Sequence, residues 1–328
     1  MKRTFLLLLL VQGIITMGFS QNIFEEFNPN GKPLALIFTN FHTSSFDGET
    51  TPEFENTRAY LGYEYNFSEN FYAKVVFDVG NPKDGAGHEL SAFLKNAYIK
   101  YKKGKLKAYF GMISTTQFKV SEKIWGNRYM MKSYQDEYKF NSSADLGFNI
   151  DYKIADFISV DFSVLNGEGY KKVQADDILR PGLGTTIKPV KNVTARVFVD
   201  RMGKDVKQQS LATLLAYASA KLVVAGEYNY QKNNKMTDGQ DMFGTSFYAT
   251  YKPKSNVKLF ARYDDLNSKN PEGGEAWHIA KDGQLMLAGV EYSPVKGVKI
   301  TPNVRVWNPD LEEVSNTTFL YLSVEIKF

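Results

Sequence analysis

Short segments in which every second residue is apolar recur along almost the whole chain, and the links between them alternate between short and long. Phe71, Ala73, Val75, Phe77 and Val79 alternate with Tyr72, Lys74, Val76 and Asp78. Leu146, Phe148, Ile150 and Tyr152 alternate with Asp145, Gly147, Asn149 and Asp151. Phe243, Thr245, Phe247, Ala249 and Tyr251 oppose Gly244, Ser246, Tyr248, Thr250 and Lys252. A period of two is the signature of a β-strand with unlike faces. About 16 such segments can be marked, each near the 9–11 residues that cross a bilayer at a tilt.

The links add a second constraint. Short turns are expected near 66–70, 102–105, 154–156, 190–192, 219–221, 253–256 and 293–297. Longer polar links are expected near 46–53, 80–90, 114–142, 166–181, 201–207, 231–241, 266–283 and 308–316. A soluble sandwich also alternates along its strands, but it gives no reason for links that are short at one end and long at the other. A transmembrane barrel does. Tyr and Phe number 20 and 24, high for a soluble chain and suited to strands with one face in lipid. The expected fold is therefore all-β, a transmembrane antiparallel barrel of about 16 strands. Such a sheet must close, because an open edge leaves backbone groups unpaired in lipid. A barrel this wide holds water rather than side chains.

Met1, Lys2 and Arg3 precede an apolar run from Phe5 to Val11, and Gly18 and Ser20 flank Phe19 before Gln21. This is the pattern of a secretory signal peptide, 1–20, cleaved after Ser20. Residues 21–328 are then the barrel. The chain has no cysteine, so no disulfide supports it, and a net charge of +4 with no long basic block argues against nucleic acid as a partner.

On each strand the polar set is expected to face the lumen and the apolar set lipid. That places thirteen basic residues inside, among them Arg58, Lys74, Lys107, Arg196, Arg262 and Arg305, against ten acidic ones. Tyr63, Tyr65, Tyr101, Tyr152, Tyr228, Tyr251, Tyr263 and Tyr292 are expected at strand ends, as interfacial girdles. His42, His88 and His278 are far apart, and no metal or cofactor site is expected from them. Asp238-Gly239-Gln240-Asp241 reads as a turn rather than a calcium loop.

Three features resemble Gram-negative porins of the Bacteroidota, close to the phosphate-selective porin O and P group. One is the final alternating strand, Leu320, Leu322, Val324, Ile326 and Phe328, whose terminal aromatic resembles the signal read by the barrel insertion machinery. Another is the long link after the fifth segment. The third is Gly111-Met112-Ile113-Ser114 followed by Glu122-Lys123-Ile124-Trp125-Gly126-Asn127-Arg128. The resemblance implies an outer-membrane porin, a homotrimer, that passes small hydrophilic solutes. It also implies that 114–142 folds inward as a constriction loop. A short helix is expected there from the spacing of Trp125, Tyr129, Met130, Ser133 and Tyr134. Lys119, Lys123, Arg128, Lys132 and Lys139 outweigh Glu122, Asp136 and Glu137 in that link. Rings of charge select ions by sign, so a weak anion preference is expected, with phosphate as one such anion. Lys119, Lys123, Arg128 and Lys132, with Glu122 and Asp136, are the candidate constriction residues. Two other classes remain open, an outer-membrane enzyme and a non-conducting adhesin or structural barrel. Conductance separates them from a porin.

Overall fold

The structure, a computed structural model, describes residues 28–80, 90–269 and 276–328. The expected signal peptide and His88 lie outside them. The strands are β1 (Asn30–Phe46), β2 (Glu49–Asn66), β3 (Phe71–Gly80), β4 (Ser91–Lys103), β5 (Leu106–Ser114), β6 (Ala144–Ala155), β7 (Ile158–Leu165) and β8 (Arg180–Ile187). They continue with β9 (Val193–Met202), β10 (Gln208–Ala218), β11 (Leu222–Lys232), β12 (Asp241–Lys254), β13 (Val257–Lys269), β14 (Gly283–Tyr292), β15 (Val298–Pro309) and β16 (Thr317–Lys327). Each pairs antiparallel with its sequence neighbours, and β16 returns to pair with β1, from Leu36 opposite Lys327 to Ser45 opposite Thr318. The sheet is a closed 16-strand barrel with no edge, so the ladder satisfies the backbone that lipid could not.

The alternation has the expected sense. Val75, Phe77, Leu146, Phe162, Val197, Phe247, Leu320 and Leu322 point outward and are exposed, whereas Asp78, Asp145, Asp161, Asp200 and Asp264 point inward and are buried. Short turns of two to five residues close one end, at 67–70, 104–105, 156–157, 188–192, 219–221, 255–256 and 293–297. Tyr63, Tyr152, Tyr251 and Tyr292 stand outward near that end. Phe67 and Phe71 extend the belt through ring contacts with Tyr65 at 4.8 Å and Tyr101 at 5.0 Å. Tyr228 and Tyr263 differ from expectation. Tyr263 pairs with Phe247 and Met286 in mid-strand, and Tyr228 with Thr213 and Thr245.

Two elements depart further from the sequence reading. No long link spans 46–53: β1 and β2 join through Asp47-Gly48 alone, with φ of 49° and 82°. Both residues are left-handed, as a tight two-residue hairpin demands, and Asp-Gly supplies that at low cost. The alternation fades over 49–53 because these residues are exposed on both faces, where no lipid imposes an apolar side. The inner face is also not uniformly polar. Phe38, Leu214, Ala216, Tyr248, Phe260, Leu285 and Leu287 point inward and are buried, because the link after β5 packs on them.

Candidate functional site

Residues 115–143 connect β5 to β6 and lie against the inner wall. They contain α1 (Thr116–Trp125) and a single turn, α2 (Tyr134–Glu137). The helix therefore precedes the expected stretch, and Trp125 ends it rather than beginning it. Gln117, Phe118, Ser121 and Trp125 form its buried face at helical spacing, and Lys119 and Lys123 lie on the exposed side. Gly126, with φ of 66°, caps it.

A non-helical chain inside a barrel has carbonyls that the sheet does not satisfy, and such groups must find partners. Two wall arginines supply them, and a third reaches the first residue of α1. Arg196 on β9 donates to the Thr116 carbonyl at 2.8 Å, Arg262 on β13 to that of Lys132 at 2.6 Å, and Arg305 on β15 to that of Met130 at 2.9 Å. Asp161 grips Arg196 with both oxygens, and Asp264 grips Arg262 in the same way. Arg305 lies 3.7 Å over the Tyr321 ring and donates to Asn303. Gln231 donates to the Phe140 carbonyl at 2.6 Å, and the Tyr129 hydroxyl donates to Glu291 at 2.9 Å. Between these anchors Trp125, Tyr129, Met130 and Met131 pack on Phe38, Leu214, Tyr248, Phe260 and Leu285. The bare apolar shelf on the inner wall exists to be covered by this link.

The middle of the link also reaches β2. Arg128 binds the carboxylates of both Glu122 and Asp136 and approaches the Tyr60 hydroxyl at 3.4 Å. The same hydroxyl accepts from Arg58 at 3.0 Å and from Lys95 at 3.1 Å. Burial disfavours ionised Asp136, but Arg128, Lys132 and Lys95 outweigh it and hold the carboxyl below its usual value. Burial also opposes the Arg128 charge, and Asp136, Tyr60 and Glu122 more than restore it. Arg58 is further paired with Asp78 at 3.1 Å. On this side of the link Arg128 and Arg58 are answered by carboxylates, while Lys95 is held by the Tyr60 and Ser143 hydroxyls and has no ion pair among the described residues.

The opposite side is different. Below α1, toward the short turns, lies a cavity of about 990 Å³ roofed by Val120, Ile124 and Trp125. Its lining carries ten basic side chains and four acidic ones. The acids are already engaged: Asp161 with Arg196, Glu291 with Lys258 at 2.6 Å, Asp156 with Lys153 at 2.5 Å, and Asp151 with Lys119 at 4.0 Å. Lys107, Lys123, Lys188 and Lys252 carry no ion pair among the described residues. The vestibule holds a net positive charge in a confined space.

The expected site residues thus divide. Lys119 and Lys123 line the vestibule, while Arg128, Glu122 and Asp136 form the latch to β2, with Lys132 within electrostatic reach of Asp136. All six expected lumen cations project inward. Arg196, Arg262 and Arg305 are consumed in anchoring the link, and Arg58 and Lys74 in pairing with Asp78 and Glu64. Of the six, Lys107 alone presents its ammonium to the cavity without a partner among the described residues. Lys95 was missed. It shares parity with outward-facing Ala97 and Ile99, but the register slips between Val76 and Phe77, leaving an extra residue in β4 that turns Lys95 inward. Strict alternation carries no sign of that bulge. His42 is inward, stacked on Tyr321 at 4.7 Å, and His278 bonds Asp282; the two are parts of separate clusters.

A wide, water-accommodating barrel with an in-folded link after β5 defines the class: the architecture of an outer-membrane porin. No family profile and no curated sequence matches the chain. Solved structures do. The outer membrane channel DcaP of Acinetobacter baumannii aligns over 92% of this chain and 98% of its own, with a TM-score of 0.69 at 13% identity. OmpF of Salmonella typhi aligns over 94% and 100%, with a TM-score of 0.70 at 12% identity. An anion-selective porin from Comamonas acidovorans aligns over 92% and 100%, with a TM-score of 0.66 at 9% identity. The chain shares the porin fold over 92–94% of its length, at identities that speak to the fold alone.

Proposed function

We propose that the protein is a passive outer-membrane diffusion channel for small hydrophilic solutes, with a preference for anions. The observation that carries this reading is the vestibule under α1, where ten basic side chains outnumber four acidic ones and the acids are tied up in ion pairs. Fixed charge in a narrow aqueous path sets the sign of the favoured ion. Lys119 and Lys123 act as selectivity residues on the link, and Lys107 on the wall. Arg128, Glu122, Asp136 and Lys132 hold the link in place and contribute little net field. Phosphate falls within the preferred class, in keeping with the resemblance to phosphate-selective porins. A homotrimer is the proposed assembly, since one Vibrio cholerae neighbour is itself described as a trimer form. Phe328 is the proposed signal for the insertion machinery.

The test is conductance of the purified protein in planar bilayers, with the reversal potential read in a salt gradient. Anion preference predicts a potential of the anionic sign that shrinks when Lys107, Lys119 and Lys123 are changed together to Gln. Absence of any channel overturns the porin reading, and a cationic sign overturns the charge argument. Replacing chloride with phosphate at equal charge tests the finer preference.

A further inference from the structure

We infer that the inner wall behind the link binds a monovalent cation, sodium or potassium, between Glu227 and Asn229 on β11 and Ser246 on β12. All three side chains are 3% exposed or less. They are neighbours on one face of the sheet. Glu227 stands opposite Ser246, and Asn229 follows Glu227 by two residues. Both carboxylate oxygens of Glu227, both polar atoms of the Asn229 amide and the Ser246 hydroxyl have no hydrogen-bond partner among the described residues. Tyr248 and Asn229 press against the Glu227 carboxyl without reaching hydrogen-bond geometry. The cross-strand neighbours offer no help. Glu227 faces Leu214 on its other side, and Asn229 lies between Ala212 and Gly244. Ser246 also faces Asp264, whose oxygens are taken by Arg262 and Tyr138. Buried polar groups are almost always satisfied, so five orphans in one place point to a bound species.

The chemistry of the five atoms selects that species. Four are oxygens, the ligand type of a hard cation. A proton on Glu227 would donate one hydrogen bond and leave most of the set unanswered. Charge agrees with this. The ionic groups facing Glu227 are Arg262 and Asp264. Asp264 accepts from Arg262 at 2.8 and 2.6 Å, so those two cancel. Glu227 is left as one buried negative charge, which burial penalises unless it is paired. One monovalent cation balances it, whereas a divalent ion would leave a buried positive charge. The link covers this part of the wall. The Tyr248 ring meets Trp125 at 5.2 Å, and its hydroxyl points at the Ser121 carbonyl at 3.5 Å. On the Asn229 side, Gly244 lies against Tyr134 of α2. The cation therefore stiffens the wall on which the link rests, and it does so whether or not the barrel conducts.

The experiment has a crystallographic arm and a solution arm, both on the full chain in detergent. Crystals soaked in rubidium chloride are expected to show an anomalous peak between Glu227, Asn229 and Ser246, absent in Glu227→Gln. In solution, proteolysis within 115–143 is followed at equal ionic strength in sodium, potassium or N-methylglucamine chloride, the last a cation too large to enter. Cleavage is expected to be at least threefold slower in sodium or potassium, because a ligand that binds only the ordered state protects it. Glu227→Gln keeps the shape and removes the charge, and it is expected to abolish the difference between salts. Ser246→Ala is expected to raise the sodium concentration needed for half protection at least threefold. Circular dichroism checks that both variants keep their strand content. Equal cleavage in all three salts, with no rubidium peak, overturns the site and leaves water or a proton on these atoms. A sodium effect that persists in Glu227→Gln places the ion elsewhere and also overturns it. Protection by calcium and not by sodium or potassium overturns the monovalent assignment.

Discussion

Arg128 counts as one positive charge in a sequence tally, yet in the fold its charge is answered twice over by Glu122 and Asp136. Changing it to Met leaves two carboxylates facing each other without their cation. Breaking a buried pair from one side costs about 3–5 kcal/mol. Arg128→Met is therefore expected to free the link, seen as faster proteolysis within 115–143 and noisier single-channel current, with only a small shift in ion selectivity. A large loss of anion preference would instead make Arg128 a selectivity residue. Gly244 marks a different local constraint. An added Cβ would sit 2.0 Å from the Tyr134 hydroxyl and 2.0 Å from the Asp265 carbonyl. That hydroxyl donates to the same carbonyl at 2.8 Å. Gly244→Ala should displace Tyr134 and destabilise the link by about 1–3 kcal/mol, again read by proteolysis, while strand content by circular dichroism stays unchanged. The need for glycine here could not be seen from its own strand, because the atoms it avoids lie on β13 and on α2.

At the scale of elements, the link after β5 behaves as a unit fastened to the wall by arginines at Thr116, Met130 and Lys132 and clamped across its middle by Arg128, which ties Glu122 to Asp136. The latch has a pH dependence with a definite sign. The folded state holds Asp136 below its ordinary value of 3.8, so its contribution is full above that value and is lost as pH falls through the depressed one. Arg128, Lys132 and Lys95 face it, with Glu122 on the same guanidinium. The link is expected to stay anchored at pH 5 and to loosen progressively below about pH 4, with current noise rising in bilayers. Asp136→Asn should show the noise already at neutral pH. Noise that does not change with acid would remove the carboxylates from the latch. The sequence placed this link between the fifth and sixth strands and named its charged residues. It put the helix about ten residues too late, because the large side chains of 125–134 suggested a helical stripe. Those residues are buried by the wall of the barrel and need no helix of their own to be hidden.

The whole molecule is held by closure. The β1–β16 seam carries the last residue: the Phe328 amide donates to the Ala35 carbonyl at 3.0 Å, and its ring is exposed. A ring that packs on nothing in the barrel adds little to stability. Phe328→Ser is expected to change stability after refolding in detergent by less than about 0.5 kcal/mol, and to lower the amount inserted in the outer membrane of cells. Equal losses in both settings would make Phe328 a structural residue and not a signal. The alternating pattern by itself pointed to an antiparallel barrel of about sixteen strands, to which end has the short turns, and to the inward side for most charged strand residues, because lipid and water impose opposite demands on neighbouring residues all along a strand. Tertiary structure alone decided which inward charges remain available. Arg196, Arg262 and Arg305 are used to hold the link, Arg128 is cancelled, a bulge turns Lys95 inward, and Lys107, Lys123, Lys188 and Lys252 are left facing the vestibule. Pairing depends on distances between strands far apart in the chain, and those distances exist only once the barrel has closed around its own loop.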